Sequence, residues 1–377
     1  MKKKIIVLML ILLGAGIFAS VLANANWDEI LAKLGKLTLG KFLIFMAIAQ
    51  ISYALMNWRW QKILKTHGHH VSFFKLWIYR ASGYGVAYIT PTQLGGEPVR
   101  IYFLNENHGI NLRESTASVL LDKLLEIASF LVFVASGVIV VSFTNLLPDK
   151  SLYLIIALVG SFVILTAYVF KKLYDGTGFL THLFQKFGLH RIKDLQNFEQ
   201  KIYNTEKLIM DFLCHGEHKK TTLPVLSAIS LLAWAFTIFE YYILAGFMGV
   251  FLTGYESFLV ATVPSMAYLI PIPGGLGMLE GAQVGLFTVL GYSASLALAV
   301  VVMVRIKEMF FSSIGFAYML THGLTLLGKE NTKKTMGKST LSEPRKITDI
   351  VDKPAIKITQ PSGIISKQSI RQIQSDK

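Results

Sequence analysis

The stretch AYITPTQLGGEPVR, residues Ala87–Arg100, places two prolines, two glycines, a glutamate and an arginine within fourteen residues of an otherwise apolar region. A straight membrane-spanning helix needs none of these residues, and proline and glycine are the residues that most often interrupt helices. A later stretch, AYLIPIPGGLGMLEG at Ala267–Gly281, repeats the pattern of prolines and paired glycines followed by a glutamate. We therefore interpret both stretches as breaks between helices.

The composition of the chain is that of a membrane protein. Of its 377 residues, 53% are hydrophobic and only 16% are charged, whereas soluble domains carry about 25% charged residues. Six apolar runs reach the length of about 20 residues that a helix needs to cross a bilayer, namely Ile5–Ala25, Thr38–Asn57, Ser115–Phe143, Ser151–Phe170, Thr222–Ala245 and Ser293–His322. The fold class that we expect is an all-α polytopic membrane protein with about six full crossings.

The formal net charge of +14 is distributed unevenly along the chain. Cytoplasmic segments of membrane proteins carry an excess of lysine and arginine, so we assign the basic segments to the cytoplasm and the near-neutral ones to the outside. The basic segments are 2–4, 59–75, 171–220 and 329–377, and the near-neutral ones are 26–37, 144–150 and 246–256. This assignment predicts a multi-pass protein of the cytoplasmic membrane with both termini in the cytoplasm. It also accounts for the charge without a nucleic-acid partner.

The first apolar run has two interpretations. Three lysines precede it and the small-residue sequence ANAN surrounds Ala25, which is also the pattern of a cleaved secretory signal. Its apolar core of about 18 residues is longer than the usual signal core of roughly 7 to 15 residues. We therefore expect a retained first helix, with the signal peptide as the alternative.

Each break divides a longer segment into a helix, an interruption and a returning helix, over 71–111 for the first and 257–292 for the second. By the charge assignment, the first of these re-entrant hairpins begins and ends in the cytoplasm, and the second begins and ends outside. The flanking helices also run in opposite directions, so 38–143 and 222–323 are the expected halves of an inverted repeat. Inverted repeats with broken helices are a recurring transporter architecture that holds the substrate at the broken ends. The alternative is a chance similarity between two breaks rich in small residues.

These assignments divide the chain into a transmembrane domain, 1–327, and a basic tail, 328–377. Within the domain, 171–221 is the expected cytoplasmic loop, and apolar residues recur at helical spacing over Leu189–Leu213. That spacing predicts an amphipathic helix on the membrane surface or against the bundle. The tail has scattered polar residues and no sustained apolar period, which predicts disorder.

Polar residues around the two breaks are the candidate substrate-binding residues. Broken helices persist at membrane depth only where they are buried in protein or line a wet cavity. Free N–H groups at a helix start, together with glycine, favour an anionic head group such as phosphate. Ionisable residues in membrane segments usually pair within the bundle or mark a pathway, and here they are Arg80, Glu97, Arg100, Asp122, Lys123, Glu126, Glu240, Glu280, Arg305, Lys307 and Glu308. We assign Arg80, Arg100 and Arg305 to the phosphate, with structural ion pairing as the alternative.

No catalytic, cofactor or metal site is expected. His67, His69 and His70 lack a fourth ligand for zinc, and one cysteine, Cys214, rules out a cysteine cluster. Gly323–Lys329 matches a phosphate-loop spacing, but glutamate follows where serine or threonine would hold magnesium.

The loop sequences TPTQLGGEPVRIYFL and PIPGGLGMLEG resemble the two signature loops of the lysylphosphatidylglycerol synthase transmembrane family, which includes the flippase domain of the multiple peptide resistance factor. The resemblance covers about Lys3 to Thr325. It implies that the lipid path is lined by Pro91, Gly95, Gly96, Glu97 and Arg100, with Pro271, Pro273, Gly274, Gly275, Gly277 and Glu280.

By the same resemblance, the expected function is a translocase for a phospholipid or a polyprenyl-phosphate-linked lipid, with aminoacylated phosphatidylglycerol among the candidates. The resistance factor carries a large soluble aminoacyltransferase domain, for which the 328–377 tail is too short, so we do not expect an enzyme. The alternative is the membrane part of a lipid-modifying enzyme, such as a phosphatidylglycerol lysyltransferase or a lipid-linked glycosyltransferase. A further alternative is a subunit that binds a separate transferase.

Overall fold

The computed structural model describes residues 2–23, 25–90, 95–143, 149–175, 178–179, 181–182, 193–214, 219–269 and 272–339. Within these ranges all regular secondary structure is helical, which confirms the expected all-α class. Pro91 and Pro271, which we assigned to the lipid path, lie outside the described residues.

Six long helices coincide with the six apolar runs of the sequence. They are α1 (Lys2–Ala23), α3 (Leu39–Lys65), α6 (Leu112–Ser142), α7 (Asp149–Tyr174), α9 (Lys219–Phe247) and α12 (Ala294–Ser339). Among the described residues, three helices are long and apolar enough to cross a membrane, namely Leu39–Lys65, Leu112–Val140 and Thr222–Phe247. The chain therefore has the helices of an α-helical membrane protein, and the count of six crossings remains a prediction.

Large apolar side chains cover the outside of these helices. Leu39 of α3, Ile164 of α7 and Phe310 of α12 are all more than half exposed. Soluble proteins rarely expose so many large apolar side chains on contiguous helix faces. Exposure of this kind is expected for helices whose outer faces contact lipid.

Helices α3 and α9 pack against each other along an extended contact. Thr38 caps the start of α3 by accepting a hydrogen bond from the Lys41 N–H at 3.4 Å. Across the pair, Ser52 Oγ donates to the Ala233 carbonyl oxygen at 3.0 Å. Because both partners are buried, this bond fixes the position of α3 against α9.

The first break separates α4 (Phe73–Ile89) from α5 (Gly96–His108), and these two helices pack against each other. Their backbones touch at a glycine pair, since a Cβ atom at Gly96 would lie 2.4 Å from the Gly83 carbonyl oxygen. No side chain fits at that distance, so the glycine of the loop permits the close return of the chain. The predicted helix, interruption and returning helix are all present.

The second break lies between α10 (Gly254–Thr262) and α11 (Met278–Val289). Two short 3₁₀ helices, Pro264–Leu269 and Pro273–Gly275, occupy most of it. Gly277 begins α11 with a φ of +79°, a conformation that glycine adopts without strain. A second helix, interruption and returning helix is therefore present, although its inverted relation to the first remains a prediction.

Helix α1 packs directly on the second break. A Cβ atom at Gly277 would lie 1.9 Å from the Gly14 carbonyl oxygen, and one at Gly14 would lie 2.6 Å from the Leu276 carbonyl oxygen. The backbones of α1 and of the loop are therefore in contact. The retention of this helix, with a cleaved signal as the alternative, stays a prediction.

The amphipathic helix predicted over Leu189–Leu213 is α8, Lys193–Cys214, and a short helix α2, Trp27–Leu34, follows α1. Helix α8 packs against α6 and α7, with Ile209 buried among Leu121, Leu125 and Leu173. Of the two placements considered for this helix, contact with the bundle is the one observed.

The chain divides into two compact units, Met1–Leu324 and Thr325–Lys377, and the site described below lies in the first. Helix α12 continues to Ser339, past Gly328, where we placed the start of a disordered tail. The continuation GKENTKKTMGKS contains no proline, and proline first recurs at Pro344. Residues 340–377 lie outside the described residues.

Candidate functional site

A single buried carboxylate, Asp122 of α6, binds three arginines. Its Oδ1 accepts a hydrogen bond from Arg59 Nε at 2.9 Å, and its Oδ2 accepts bonds from Arg80 Nη2 at 2.6 Å and from Arg100 Nη2 at 2.7 Å. The Asp122 side chain is 0% exposed. The arginines come from α3, α4 and α5, so this carboxylate ties both arms of the first hairpin to the bundle.

Arg59 is the member of this cluster that the sequence interpretation missed. We assigned it to a cytoplasmic segment, but the structure buries it completely. Its Nη1 donates to Ser230 Oγ of α9 at 2.8 Å, and its Nη2 donates to the Asp122 carbonyl oxygen at 2.9 Å. The available signal was its spacing of seven residues from Ser52, which places both on one face of α3.

Trp60 supports two of the three arginines through its ring. The guanidinium carbon lies 4.0 Å from the ring centroid in Arg100 and 5.7 Å in Arg80. Trp60 is fully buried, and a desolvated cation–π contact contributes about 2 kcal/mol. The arginines are therefore stabilised both by a carboxylate and by an aromatic face.

A second set of charges lies beside this cluster. Lys123 Nζ lies 2.8 Å from Glu126 Oε1 and 3.6 Å from Glu97 Oε1. With Asp122 and its three arginines, the group contains four cations and three carboxylates, an excess of one positive charge. Within the described part of the chain, Glu97 Oε2 is buried and has no hydrogen-bond partner.

These side chains border a cavity of about 140 Å³ between the hairpin and the bundle. We call it the hairpin cavity. Its polar wall consists of Arg80, Glu97, Arg100, Lys123 and Glu126, and the glycine pair Gly83 and Gly96 with Tyr53, Met56, Tyr84 and Ala87 complete the lining. The cavity therefore combines charged groups with apolar and aromatic surface, as small-molecule sites do.

Arg305 of α12 organises the second break in a similar way. Its Nε donates to Glu280 Oε1 at 2.8 Å, and its Nη1 donates to the Gly274 carbonyl oxygen at 2.7 Å and to Glu308 Oε2 at 3.0 Å. The other oxygen of Glu280 accepts the Gly277 N–H at 2.7 Å. One arginine thus binds the loop carbonyl, the first turn of α11 and its own helix.

Two further contacts extend this second network. The Tyr268 hydroxyl donates to Glu308, and Lys307 of α12 pairs with Glu240 of α9. With Glu280 and Arg305, the network contains two cations and three carboxylates, an excess of one negative charge. The net charge of this network is therefore opposite in sign to that of the group around Asp122.

The two breaks meet at Tyr88, the residue before the end of α4. Arg305 Nη1 donates to the Tyr88 hydroxyl at 3.3 Å, and the Tyr88 ring lies 3.3 Å from the position of a Cβ atom at Gly274. Helix α4 also crosses α12 closely, since a Cβ atom at Gly315 would lie 1.9 Å from the Ala81 carbonyl oxygen. The first hairpin therefore contacts both the loop of the second break and α12.

The structure sorts the predicted site residues into two groups. One group surrounds Asp122 and the hairpin cavity and contains Arg80, Gly96, Glu97, Arg100, Asp122, Lys123 and Glu126. The other surrounds Arg305 and contains Glu240, Gly274, Gly277, Glu280, Arg305, Lys307 and Glu308.

The remaining predicted residues lie at the edges of the breaks. Gly95 donates its N–H to Thr90 Oγ1 at 3.3 Å, Pro273 begins the second 3₁₀ turn, and Gly275 packs on the Tyr268 ring. Every one of the three arginines assigned to phosphate is already in an ion pair, as the structural alternative proposed. In the part of the chain that the structure describes, no three histidine, cysteine, aspartate or glutamate side chains are grouped as metal ligands.

Both groups fall within the region that matches a known family model. The model of the lysylphosphatidylglycerol synthase TM region matches residues 5–315. The chain belongs to this family. The match includes both glycine breaks and every charged residue of the two networks, so the lysylphosphatidylglycerol synthase TM region corresponds to the whole helical body around the site.

Three relatives of the chain are described as UPF0104 membrane proteins. A UPF0104 membrane protein of Methanothermobacter thermautotrophicus is 25% identical over 343 residues, which cover 87% of this chain and 98% of the relative. One of Archaeoglobus fulgidus is 26% identical and covers 71% of this chain and 79% of the relative. One of Pyrococcus horikoshii is 24% identical, with 70% and 82% covered. The chain is thus similar to proteins described as membrane proteins along most of their length.

Proposed function

We propose that the chain is an integral lipid translocase of the cytoplasmic membrane, with both termini in the cytoplasm and the hairpin cavity as its head-group site. The substrate is a phospholipid or a polyprenyl-phosphate-linked lipid. The observation that carries the proposal is a cavity lined by Arg80, Glu97, Arg100, Lys123 and Glu126 inside a helical membrane protein. Charged groups are costly inside a membrane protein and usually mark a substrate path.

The charges of the cavity support an anionic ligand. The group around Asp122 has one more cation than carboxylates, so a single negative charge would balance it. Arginine also binds phosphate oxygens better than lysine does, because its planar fork donates two parallel hydrogen bonds. A lipid phosphate has the charge and the geometry that this wall accepts.

The contact between the two breaks supports movement of the ligand between two halves. Tyr88 and Gly274 bring the first hairpin against the second loop, and Arg305 binds both. In transporters built from inverted repeats, one half rocks against the other around a fixed site. In this proposal the two halves do the same, and the second network closes one side of the path.

The decisive experiment separates a translocase from an enzyme. Purified protein in vesicles should move a labelled phosphatidylglycerol between leaflets, measured by the fraction of label that an impermeant quencher reaches. The same protein given phosphatidylglycerol with lysyl-tRNA, or a lipid phosphate with nucleotide sugars, should form no modified lipid. Product formation without transbilayer movement would identify a lipid-modifying enzyme, and neither activity with a co-purifying transferase would identify an accessory subunit.

Two carboxylates serve as site variants for this assay. Glu97 and Glu280 follow the two glycine breaks, and each lies beside a cation of its network. Glu97→Gln and Glu280→Gln keep the shape of the side chain and remove its charge. We expect both to slow the movement, because each carboxylate is positioned to pair with an arginine, a cationic head group or a coupling proton.

A further inference from the structure

The three arginines on Asp122 differ in how completely their donors are used. Arg59 donates from Nε, Nη1 and Nη2 to Asp122 and Ser230. Arg80 donates from Nη2 alone, to Asp122 and to the Met56 carbonyl oxygen, and Arg100 donates from Nη2 to Asp122. The Nε groups of Arg80 and Arg100 are buried and have no hydrogen-bond partner among the residues that the structure describes.

This difference follows from the geometry of the carboxylate. Arg80 and Arg100 both use the same oxygen, Oδ2, so neither can align its planar fork with the whole carboxylate. A buried charged donor without a partner is costly, and such a group requires an explanation. Asp122 therefore balances the charge of these two arginines without accepting hydrogen bonds from all of their donors.

The same two arginines line the hairpin cavity, whereas Arg59 and Asp122 lie behind its wall. Arg80 and Arg100 are 7% and 5% exposed, so more than nine-tenths of each side chain is buried. A phosphate that entered the cavity would meet two cations whose forks are incompletely used. The phosphate would offer more than one oxygen to each guanidinium group, whereas Arg80 and Arg100 now share the single oxygen Oδ2 of Asp122.

We propose that Asp122 is an internal counter-anion, which holds Arg80 and Arg100 in the empty cavity and yields them to the phosphate oxygens of the ligand. Arg59 stays on Asp122 throughout, because Ser230 and the Asp122 carbonyl also bind it. A buried charge without a partner is strongly destabilising. The exchange avoids this, because it replaces one ion pair of each arginine by another. On release, Asp122 takes the two arginines back and competes with rebinding.

Both a lipid head group and free phosphate have the chemistry that this exchange requires. That the phosphate belongs to a lipid rests on the proposed function. The exchange itself does not depend on transport. It predicts that Asp122 competes with the ligand for the same guanidinium groups. Removal of its charge should therefore tighten binding, whereas a residue that only positions the arginines should weaken binding when it is changed.

The test compares the parent with Asp122→Asn, a variant of nearly the same shape. Thermal unfolding in neutral detergent is measured while inorganic phosphate is titrated in one arm and short-chain phosphatidylglycerol in the other. We expect a lower Tm without anion and a dissociation constant about tenfold smaller, equivalent to about 1.4 kcal/mol. Tightening in both arms indicates a general phosphate site, and tightening only with the lipid indicates a head-group site. Equal or weaker binding by Asp122→Asn in both arms overturns the proposal.

The variant also remains informative if it is unstable. Asp122→Asn that can be purified in phosphate buffer but not in chloride buffer would support the exchange, since the ligand then replaces the missing counter-anion. Failure to recover it in either buffer would contradict the exchange.

Arg100→Gln should lose at least about tenfold in phosphate affinity, which corresponds to about 1.4 kcal/mol. The control Arg113→Gln removes the same charge from an exposed position at the start of α6 and should change nothing. Equal losses in these two variants would mean that general electrostatics, and not the cavity, binds the anion.

A protein that binds phosphate as expected but moves no lipid would refute the proposed function and leave this inference intact. Lipid movement by the parent, without tighter phosphate binding by Asp122→Asn, would refute this inference and leave the proposed function intact.

Discussion

Replacement of Gly96 by alanine should open the first hairpin. A Cβ atom there would lie 2.4 Å from the carbonyl oxygen and 2.8 Å from the carbonyl carbon of Gly83, both of which are backbone atoms. Helices α4 and α5 would have to separate by about 1 Å to reach ordinary contact distance. Overpacking of this kind costs about 1–3 kcal/mol.

The same displacement would reach the charge cluster. A shift of α5 by about 1 Å would stretch the contact between Arg100 and Asp122, now 2.7 Å, beyond the roughly 3.2 Å limit of an N–H···O bond. Loss of a charged hydrogen bond costs about 1.5–3 kcal/mol. We therefore expect Gly96→Ala to lower the free energy of unfolding by about 3 kcal/mol or more.

Thermal unfolding of the detergent-solubilised protein, together with the leaflet-exchange assay, measures both effects. Gly160→Ala in α7 and Gly285→Ala in α11 are the matched controls, because a Cβ atom at either position meets no described atom within 4 Å. Both controls should be neutral or slightly stabilising, since alanine is the better helix former by up to about 1 kcal/mol. If Gly96→Ala unfolds at the same temperature as these controls and moves lipid at the parental rate, the glycine contact does not shape the site.

Three other predictions concern topology, the first helix and the second network. In a variant without Cys214, single cysteines within 26–37 should react with an impermeant thiol reagent added to intact cells, and single cysteines within 193–213 should not. Labelling of a cysteine within 193–213 would contradict the inverted-repeat topology. Gly14→Leu should lower Tm by several degrees, because its side chain would strike the Leu276 carbonyl, and the purified parent should retain its N-terminal residues by mass spectrometry. Arg305→Lys should slow lipid movement while the protein stays folded, because lysine cannot bind a carboxylate and a loop carbonyl with one planar group; an unchanged rate would mean that the second network is only structural.

The helical breaks were predictable because their signals are local. Gly95 and Gly96 weaken a helix, and Pro98 is tolerated only in the first turn of one; α4 ends before this loop and α5 begins at Gly96, with Pro98 in its first turn. The apolar runs were equally clear, because a helix in lipid needs an uninterrupted apolar length. The helix ends were less clear, since α3 continues from Asn57 to Lys65 and α12 continues from His322 to Ser339.

The arrangement of the charges was not predictable in the same way, because it depends on contacts distant in sequence. Asp122 and Arg100 both stood out as ionisable residues near a break, but nothing local indicates that one carboxylate binds three arginines. Arg59 lay at the end of an apolar run beside other basic residues, so its charge was read as a topology signal. Its partner Ser230 lies on α9, 171 positions away, and only the pairing of α3 with α9 makes Arg59 part of the site.

Transbilayer movement of a labelled phosphatidylglycerol, compared between the parent and Arg100→Ala in otherwise identical vesicles, tests the central claim most directly. Arg100→Ala should stay folded, because Asp122 keeps Arg59 and Arg80 as partners, but it should move lipid far more slowly. Arg100→Lys should recover only part of the rate, and Arg113→Ala should match the parent. A parent that moves lipid no faster than protein-free vesicles, or an Arg100→Ala variant as fast as the parent, would contradict a head-group site in the hairpin cavity.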